Sequence, residues 1–468
     1  MSHVFEQILT ADIGDAAYLV GDTAAGVAAI VDPQIDIERY LLSADSHGLA
    51  ITHVFQTHVH EDFASGAVAL AEATGALVCV GGTDAPHYGF THHAVVDGDV
   101  FEFGETRVTV RHTPGHTPEH ISLLVAKRMA IDAPFAVLSG GAMLVGTAGR
   151  TDLLGMERAK QLVVAQYRTL HDVFLKLPDG VLVYPTHVHG SPCGAAIGDR
   201  LVTTIGYERL HNPMLAPPNE TAFASRALAD LPPKPSYYPR LKEINTVAPA
   251  RAALRRARAL PVNQFAHIAD ANDATVIDTR DLLAFAGGHI PGALNIGAVG
   301  HLSIWAGWML DAQRPLLLVL ESEAQLAGVM TRFARTGFDK IAGWLAGGMS
   351  AWQAAGKPLA TMTVLPALQL AEPRRERVIL DVRAPQEYGH GHVPGAHHFF
   401  LPDLPACLGG LDRAAEIAVY CDSGYRAAIG ASLLKRAGFE CVSVVPGSWQ
   451  AWQALGLPVE GKKAGAGS

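Results

Sequence analysis

Near its C-terminal end this chain repeats itself, and no other feature restricts the fold so tightly. The run "VIDTRDLLAFAGGHIPGALNI" at 276–296 returns as "ILDVRAPQEYGHGHVPGAHHF" at 379–399. Likewise "GWLAGGMSAWQAAGKPL" at 343–359 returns as "VVPGSWQAWQALGLPV" at 444–459. Each copy opens on an apolar run that ends in aspartate (Asp278, Asp381), and a second apolar run later feeds a helical stretch. Repeated strand-then-helix units predict two tandem doubly wound α/β domains, with bounds at 250–360 and 365–460. Ligands of such sheets bind at the carboxyl ends of the strands.

The preceding half, 1–240, also alternates β-rich runs ("AAYLVGDTAAGVAAIVDP", "TRVTVRHTPG", "VLVYPTH") with helical ones ("MERAKQLVVAQYRTLHDVFLKL"), which predicts a further layered α/β domain. Three domains suit 468 residues, and the Pro-rich "LPPKPSYYPR" at 231–240 reads as the linker between the halves. With 49% hydrophobic and 17% charged residues the chain can bury large cores. A net charge of −9 without a basic run argues against nucleic acid as a partner, and no apolar stretch is long enough to span a bilayer. The N-terminus lacks the pattern of a signal peptide, and the five cysteines are scattered singly, so the expected setting is a reducing cytoplasm.

The clearest chemistry lies in the second copy, in "CDSGYRA". A strand delivers Cys421 into a short loop containing Ser423, Gly424 and Tyr425, and a helix starts near Arg426. Backbone N–H groups, the helix dipole and a guanidinium all favour thiolate over thiol there, and the same donors suit a bound anion. Both copies resemble rhodanese domains, the second through Asp381–Arg383, "HVPGA", the Cys421–Arg426 loop and "GSWQAW". The resemblance implies that Cys421 carries sulfane sulfur as a persulfide, that Arg426 stabilises its charge, and that Ser423, Gly424, Tyr425, Asp381 and Arg383 bind substrate. The six-residue loop suits sulfur rather than the roomier phosphatase chemistry. In the first copy the cysteine, glycine and arginine positions hold Glu321, Ala324 and Leu326, so that copy reads as catalytically dead.

The N-terminal half carries "THVHEDFASG", "HTPGHTPEH", "LSGGAMLVGTAGRTDLLG" and "YPTHVHGSPCG", each after an apolar run. In this order they resemble the metallo-β-lactamase fold, an αββα sandwich, in the branch fused to rhodanese domains that includes persulfide dioxygenases. There a single iron(II) sits on two histidines and one carboxylate, which carries over to His58 and His116. Phe63 stands where a two-metal site has another histidine, so one ion is expected and a zinc hydrolase of glyoxalase II type is disfavoured. The resemblance places the carboxylate at Gly141. Asp132 and Asp152 are too far along the chain to replace it.

Three readings stand. His60 completes a three-histidine site for iron or zinc, solvent or chloride fills the gap, or the domain has lost metal chemistry. On this view Gly141→Asp should restore iron. His187, His60 and Asp62 are reserve or supporting ligands, and Cys193 is a candidate second sulfur-handling thiol. The implied substrates are a low-molecular-weight persulfide such as glutathione persulfide, with thiosulfate and sulfite as partners in sulfur exchange. Self-association is left open.

Overall fold

The computed structural model describes residues 2–130, 133–229, 231–247, 257–374 and 376–461. The expected boundary at 250 and Asp132 therefore lie outside the described residues. The chain divides into two compact units, the first running to Ala253 and taking in Ala334–Gly337, the second holding the rest.

In the first unit, strands His3–Thr10, Asp15–Asp22, Val27–Val31, Ala50–Gln56, Leu77–Gly81 and His93–Val95 form a six-stranded sheet in sequence order. A second six-stranded sheet runs Thr203–Thr204, Leu182–Pro185, Ala136–Gly140, Ile121–Lys127, Thr106–His112 and Val100–Phe103. Alternating residues of both sheets (Tyr18, Val20, Phe55; Val110, Leu123, Leu138) share one buried cluster, so the sheets stack face to face. Helices Glu38–Ser46 and Ala67–Thr74 cover the outer face of the first sheet through Tyr40, Ala44 and Leu70. Met156–Arg168 and Glu220–Ala227 cover that of the second through Val163 and Phe223. This is the expected αββα sandwich.

The stretch 231–240 is no free linker. Tyr237 and Tyr238 are buried, and Tyr238 opens helix Tyr238–Thr246. From that helix Asn245 donates to the carbonyls of His60 and Phe63, each at 2.7 Å, and accepts the Ser65 N–H. The prolines do bar a regular element before Tyr237, but the two large aromatic residues that follow gain more from burial than from solvent.

The second unit contains two five-stranded parallel sheets of identical order. One runs Ala259–Leu260, Ile341–Leu345, Leu316–Val319, Thr275–Asp278, Leu294–Asn295. The other runs Thr363–Val364, Val442–Val444, Glu416–Tyr420, Arg377–Asp381, His397–His398. The sequence repeat is thus a repeat of topology, and one apolar cluster joins both copies.

Candidate metal centre and cysteine loop

Strand ends assemble the first site. After Ala50–Gln56 the chain enters the loop Thr57–Gly66, which brings His58, His60 and Asp62 inward, each 2% exposed or less. Asp32 follows strand Val27–Val31, Asp15 opens the second strand, and His187 follows Leu182–Pro185. Asp32 accepts the Thr57 N–H at 2.7 Å and hydroxyls from Thr57 and Thr186, and lies 3.0 Å from His60 Nε2. Phe63 is fully buried and stacks on the His60 ring at 4.3 Å, so it shapes the site rather than ligating.

His187 stands at the centre. Its Nδ1 faces Asp15 at 2.7 Å and Asp62 at 3.0 Å, and its Nε2 lies 3.2 Å from His58 Nε2. Two nitrogens about 2.1 Å from a shared tetrahedral ion stand about 3.4 Å apart, so that separation suits common ligation. Among the described residues, ligand atoms of His58, His60 and His187 lie within 4.8 Å of one another, as do those of His116, His187 and Cys193 and those of Asp15, Asp62 and His187. His187 belongs to all three sets, whereas the sequence alone marks it as a reserve ligand.

Buried polar atoms test the fit to a cation. His116 Nδ1 is held by the Arg150 carbonyl at 2.7 Å, but its Nε2 has no partner. Asp62 Oδ1 and His60 Nδ1 also lack a hydrogen bond, facing each other only at 4.0 Å. Three fully buried carboxylates (Asp15, Asp32, Asp62) face imidazoles, hydroxyls and amides, while the nearby Arg150 is taken by Asp152 at 2.7 Å. Unbalanced buried charge is costly, so either protons or a cation must offset it. Burial lowers the His187 pKa, but the Cys193, Asp62 and Asp15 groups outweigh it and hold the ring well above its ordinary value. Burial and then the Asp62 charge push Asp15 well up. Protons on His187 and Asp15 thus offset part of the buried charge, at positions that a dication would take over. By contrast burial, then His187, pushes His116 down to about 3, and burial with neighbouring imidazoles lowers His58, leaving both neutral and ready to ligate. The donor set fits a divalent ion.

Gly141 departs from the expected geometry. A side chain there would place Cβ 2.2 Å from His116 Cδ2 and 2.8 Å from Nε2, because the His116 ring occupies the room beside the glycine. The Gly141 N–H is also spent on His120 Nε2 at 2.9 Å. A carboxylate at 141 would therefore crowd an expected ligand, and the geometry gives the opposite expectation for Gly141→Asp. Cys193 is buried, its Sγ 3.4 Å from Asp62 and 3.3 Å from the Tyr238 hydroxyl, and burial followed by the Asp62 charge pushes its thiol up to about 11.

The second site follows strand Glu416–Tyr420. Gly424 (φ 111°) turns the chain into helix Tyr425–Arg436, and its N–H donates to Cys421 Sγ at 3.1 Å. Such a φ is open to glycine at little cost. The Cys421 N–H donates to the Ser448 hydroxyl at 3.1 Å. Arg426 gives both terminal nitrogens to Glu387, at 2.5 and 2.7 Å, a partner the sequence reading did not find. The Ser423 carbonyl accepts the Gly447 N–H, and the Tyr425 hydroxyl donates to the Gly297 carbonyl of the first copy at 2.7 Å.

Asp381 and Arg383, expected to bind substrate, instead pair with each other at 2.6 Å in a buried position, with the Tyr420 hydroxyl on Asp381 and the Arg383 guanidinium over Trp449. Asp278 and Arg280 form the same pair at 2.7 Å in the copy without a cysteine, which assigns the pair to the fold. In that copy Glu321 is exposed, and a short 3₁₀ turn, Glu323–Gln325, replaces the glycine turn.

Fold and residues together define a sandwich with a buried histidine–aspartate cluster that could hold a metal ion, joined to a duplicated α/β scaffold, one copy of which carries a loop cysteine. Residues 14–128 match the metallo-beta-lactamase superfamily, and 262–355 and 367–455 each match the rhodanese-like domain. The chain is thus a metallo-β-lactamase-fold domain followed by two rhodanese-like domains. A metallo-beta-lactamase from Staphylococcus aureus subsp. aureus COL superposes with a TM-score of 0.66 at 29% identity, over 74% of this chain and 99% of that one. The mitochondrial persulfide dioxygenase ETHE1 of Homo sapiens is 28% identical over 200 residues, 42% of this chain and 70% of its own. The hydroxyacylglutathione hydrolase of Rhodospirillum rubrum is 34% identical over 135 residues, 28% of this chain. The chain spans about half of that hydrolase's length (52%).

Proposed function

We propose that this protein acts in reactive-sulfur metabolism, oxidising a low-molecular-weight persulfide such as glutathione persulfide to sulfite in the first domain and passing sulfane sulfur through Cys421 in the third. The observation that carries this reading is one chain holding both a buried, cation-suited histidine–aspartate cluster and a thiol whose sulfur accepts a loop amide at 3.1 Å. In the oxidation, one dioxygen and one water supply the three oxygens of sulfite, and the parent thiol and two protons are released. A bound iron(II) would supply the one-electron chemistry that dioxygen requires. His58, His60 and His187 would hold it, with His116 and Asp62 as the adjoining donors. Asp15 and Asp62 fix the His187 ring and take up proton equivalents, Phe63 walls His60, and the buried loops exclude water. In the sulfur transfer, the Cys421 thiolate attacks the donor's sulfane sulfur, the donor's bond to that sulfur breaks with its electron pair leaving on the donor, and the Gly424 N–H steadies the charge on the cysteine sulfur.

One observation favours a second reading, a sulfurtransferase whose first domain no longer oxidises: the His116 ring fills the place beside Gly141. Phe63, buried on His60, weighs against a two-metal hydrolase of the glyoxalase II kind. Metal analysis combined with persulfide-dependent oxygen uptake separates these outcomes. One iron per chain with uptake supports the first reading, and sulfur transfer without uptake supports the second. The cytoplasmic setting belongs to the same proposal. Among the described residues no helix is long and apolar enough to cross a membrane.

A further inference from the structure

The cradle around Cys421 is poor in net positive charge. The Arg426 guanidinium is offset by the two-pronged contact with Glu387, and that of Arg383 by Asp381. The residue after the cysteine is Asp422, part-exposed, whose carboxylate accepts the Gln450 side-chain amide at 2.7 Å. The Asp422 carbonyl also accepts the Gln450 N–H at 3.0 Å, so the carboxylate is tethered at the loop rather than free to swing away.

The first copy supplies an internal comparison. Where Cys421 becomes Glu321, the partners Glu387 and Arg426 become Ala284 and Leu326, and Asp422 and Gln450 become Ser322 and Ser350. Both pairs accompany the thiol and both are gone where it is gone. The Asp381–Arg383 pair, by contrast, persists as Asp278–Arg280. Charge around the cysteine therefore tracks chemistry, not folding.

We propose that this charge arrangement makes Cys421 draw sulfur from persulfide donors in preference to thiosulfate, with Asp422 as the discriminating residue. The inference rests on Cys421 being the sulfur carrier. In the favoured step the Cys421 thiolate attacks the outer sulfur of R–S–SH. The donor S–S bond breaks, its electron pair leaves on R–S⁻, and Cys421–S–SH forms with no net oxidation. The reacting end of a persulfide brings at most one negative charge, and the rest of the donor stays outside the loop. Thiosulfate brings both of its charges on the group that must enter, and sulfite carries both away past Asp422. Like charges brought together at a recognition site select against the more charged partner.

The test uses the full-length protein, Asp422→Asn and Cys421→Ser, with cyanide as acceptor and either glutathione persulfide or thiosulfate as donor. Asparagine keeps an oxygen for Gln450, so a purely structural role for Asp422 predicts no change in donor preference. Removing the charge should raise the ratio of thiosulfate to persulfide kcat/KM about tenfold, the size expected of a partly screened unit charge on the residue next to the thiol. In the unmodified protein the thiosulfate kcat/KM should rise with ionic strength, and in Asp422→Asn that slope should flatten. A ratio that stays put, or a thiosulfate rate that falls with salt in the unmodified protein, overturns the proposal and leaves the carrier role of Cys421 intact. Transfer that survives in Cys421→Ser overturns the carrier role itself.

Discussion

Gly141→Asp tests the metal centre most directly, because sequence and structure call for opposite results. By resemblance the substitution supplies a missing ligand. By geometry the new Cβ lies 2.2 Å from His116 Cδ2 and 2.8 Å from both Cγ and Nε2. Carbon atoms ordinarily rest about 3.5–4.0 Å apart, so the ring must move by more than an ångström. Overpacking a filled core costs about 1–3 kcal/mol, and a further unpaired carboxylate in this buried cluster adds to it. For a domain of this size each 1 kcal/mol lowers Tm by about 2–4 °C, which gives a fall of roughly 2–12 °C in metal-free protein. Displacing His116 also breaks its 2.7 Å contact with the Arg150 carbonyl, so iron content should fall rather than rise. Differential scanning calorimetry and metal analysis on Gly141→Asp, Gly141→Ala and Gly141→Asp/His116→Ala separate bulk from charge. Alanine should reproduce most of the thermal loss, and the double variant should recover part of it. Full iron occupancy in Gly141→Asp with an unchanged Tm would refute this account of the site.

Three further outcomes are expected. His187→Ala should lower bound metal, titrated with Zn(II) or Fe(II), by at least tenfold in affinity, more than Cys193→Ser does, since His187 alone joins every candidate ligand set. Because His187 is held well above its ordinary pKa in the metal-free protein, a cation must displace a proton below that raised value. Apparent metal affinity should therefore weaken as pH falls, by about tenfold per unit per proton released, and an indicator dye should record the release. Incubation with a persulfide should add one sulfur per chain, on a peptide containing Cys421, and Glu321→Cys should not add a second, since the first copy lacks the glycine turn and the guanidinium.

Much of the fold was legible because period and repetition report it directly. The duplicated strands, each ending in aspartate, became two sheets of the same order, and the Cys421 loop sits where a strand passes into a helix. The linker was misread because proline marks the end of an element and says nothing about whether the tyrosines after it are buried. Asp32 was within reach, since "AAIVDP" is one more apolar strand ending in aspartate, the signal used for Asp278 and Asp381. Asp15 and Glu387 were not, because each meets its partner across a long chain separation that only folding closes: 172 residues to His187 and 39 to Arg426. The centrality of His187 was hidden for the same reason.

The depth of the histidine cluster bears on how the protein acquires its ion. His58, His60, His116 and His187 are at most 2% exposed, so their ligand atoms are largely shielded from bulk solvent while the loops stay packed. Exchange must then wait for local opening, and its rate is set by that fluctuation instead of by the equilibrium constant of the site. Two batches grown on different trace-metal supplies should keep their different ions through purification, and a chelator should strip them over hours rather than seconds. Occupancy in such a protein is a memory of the medium in which the chain folded.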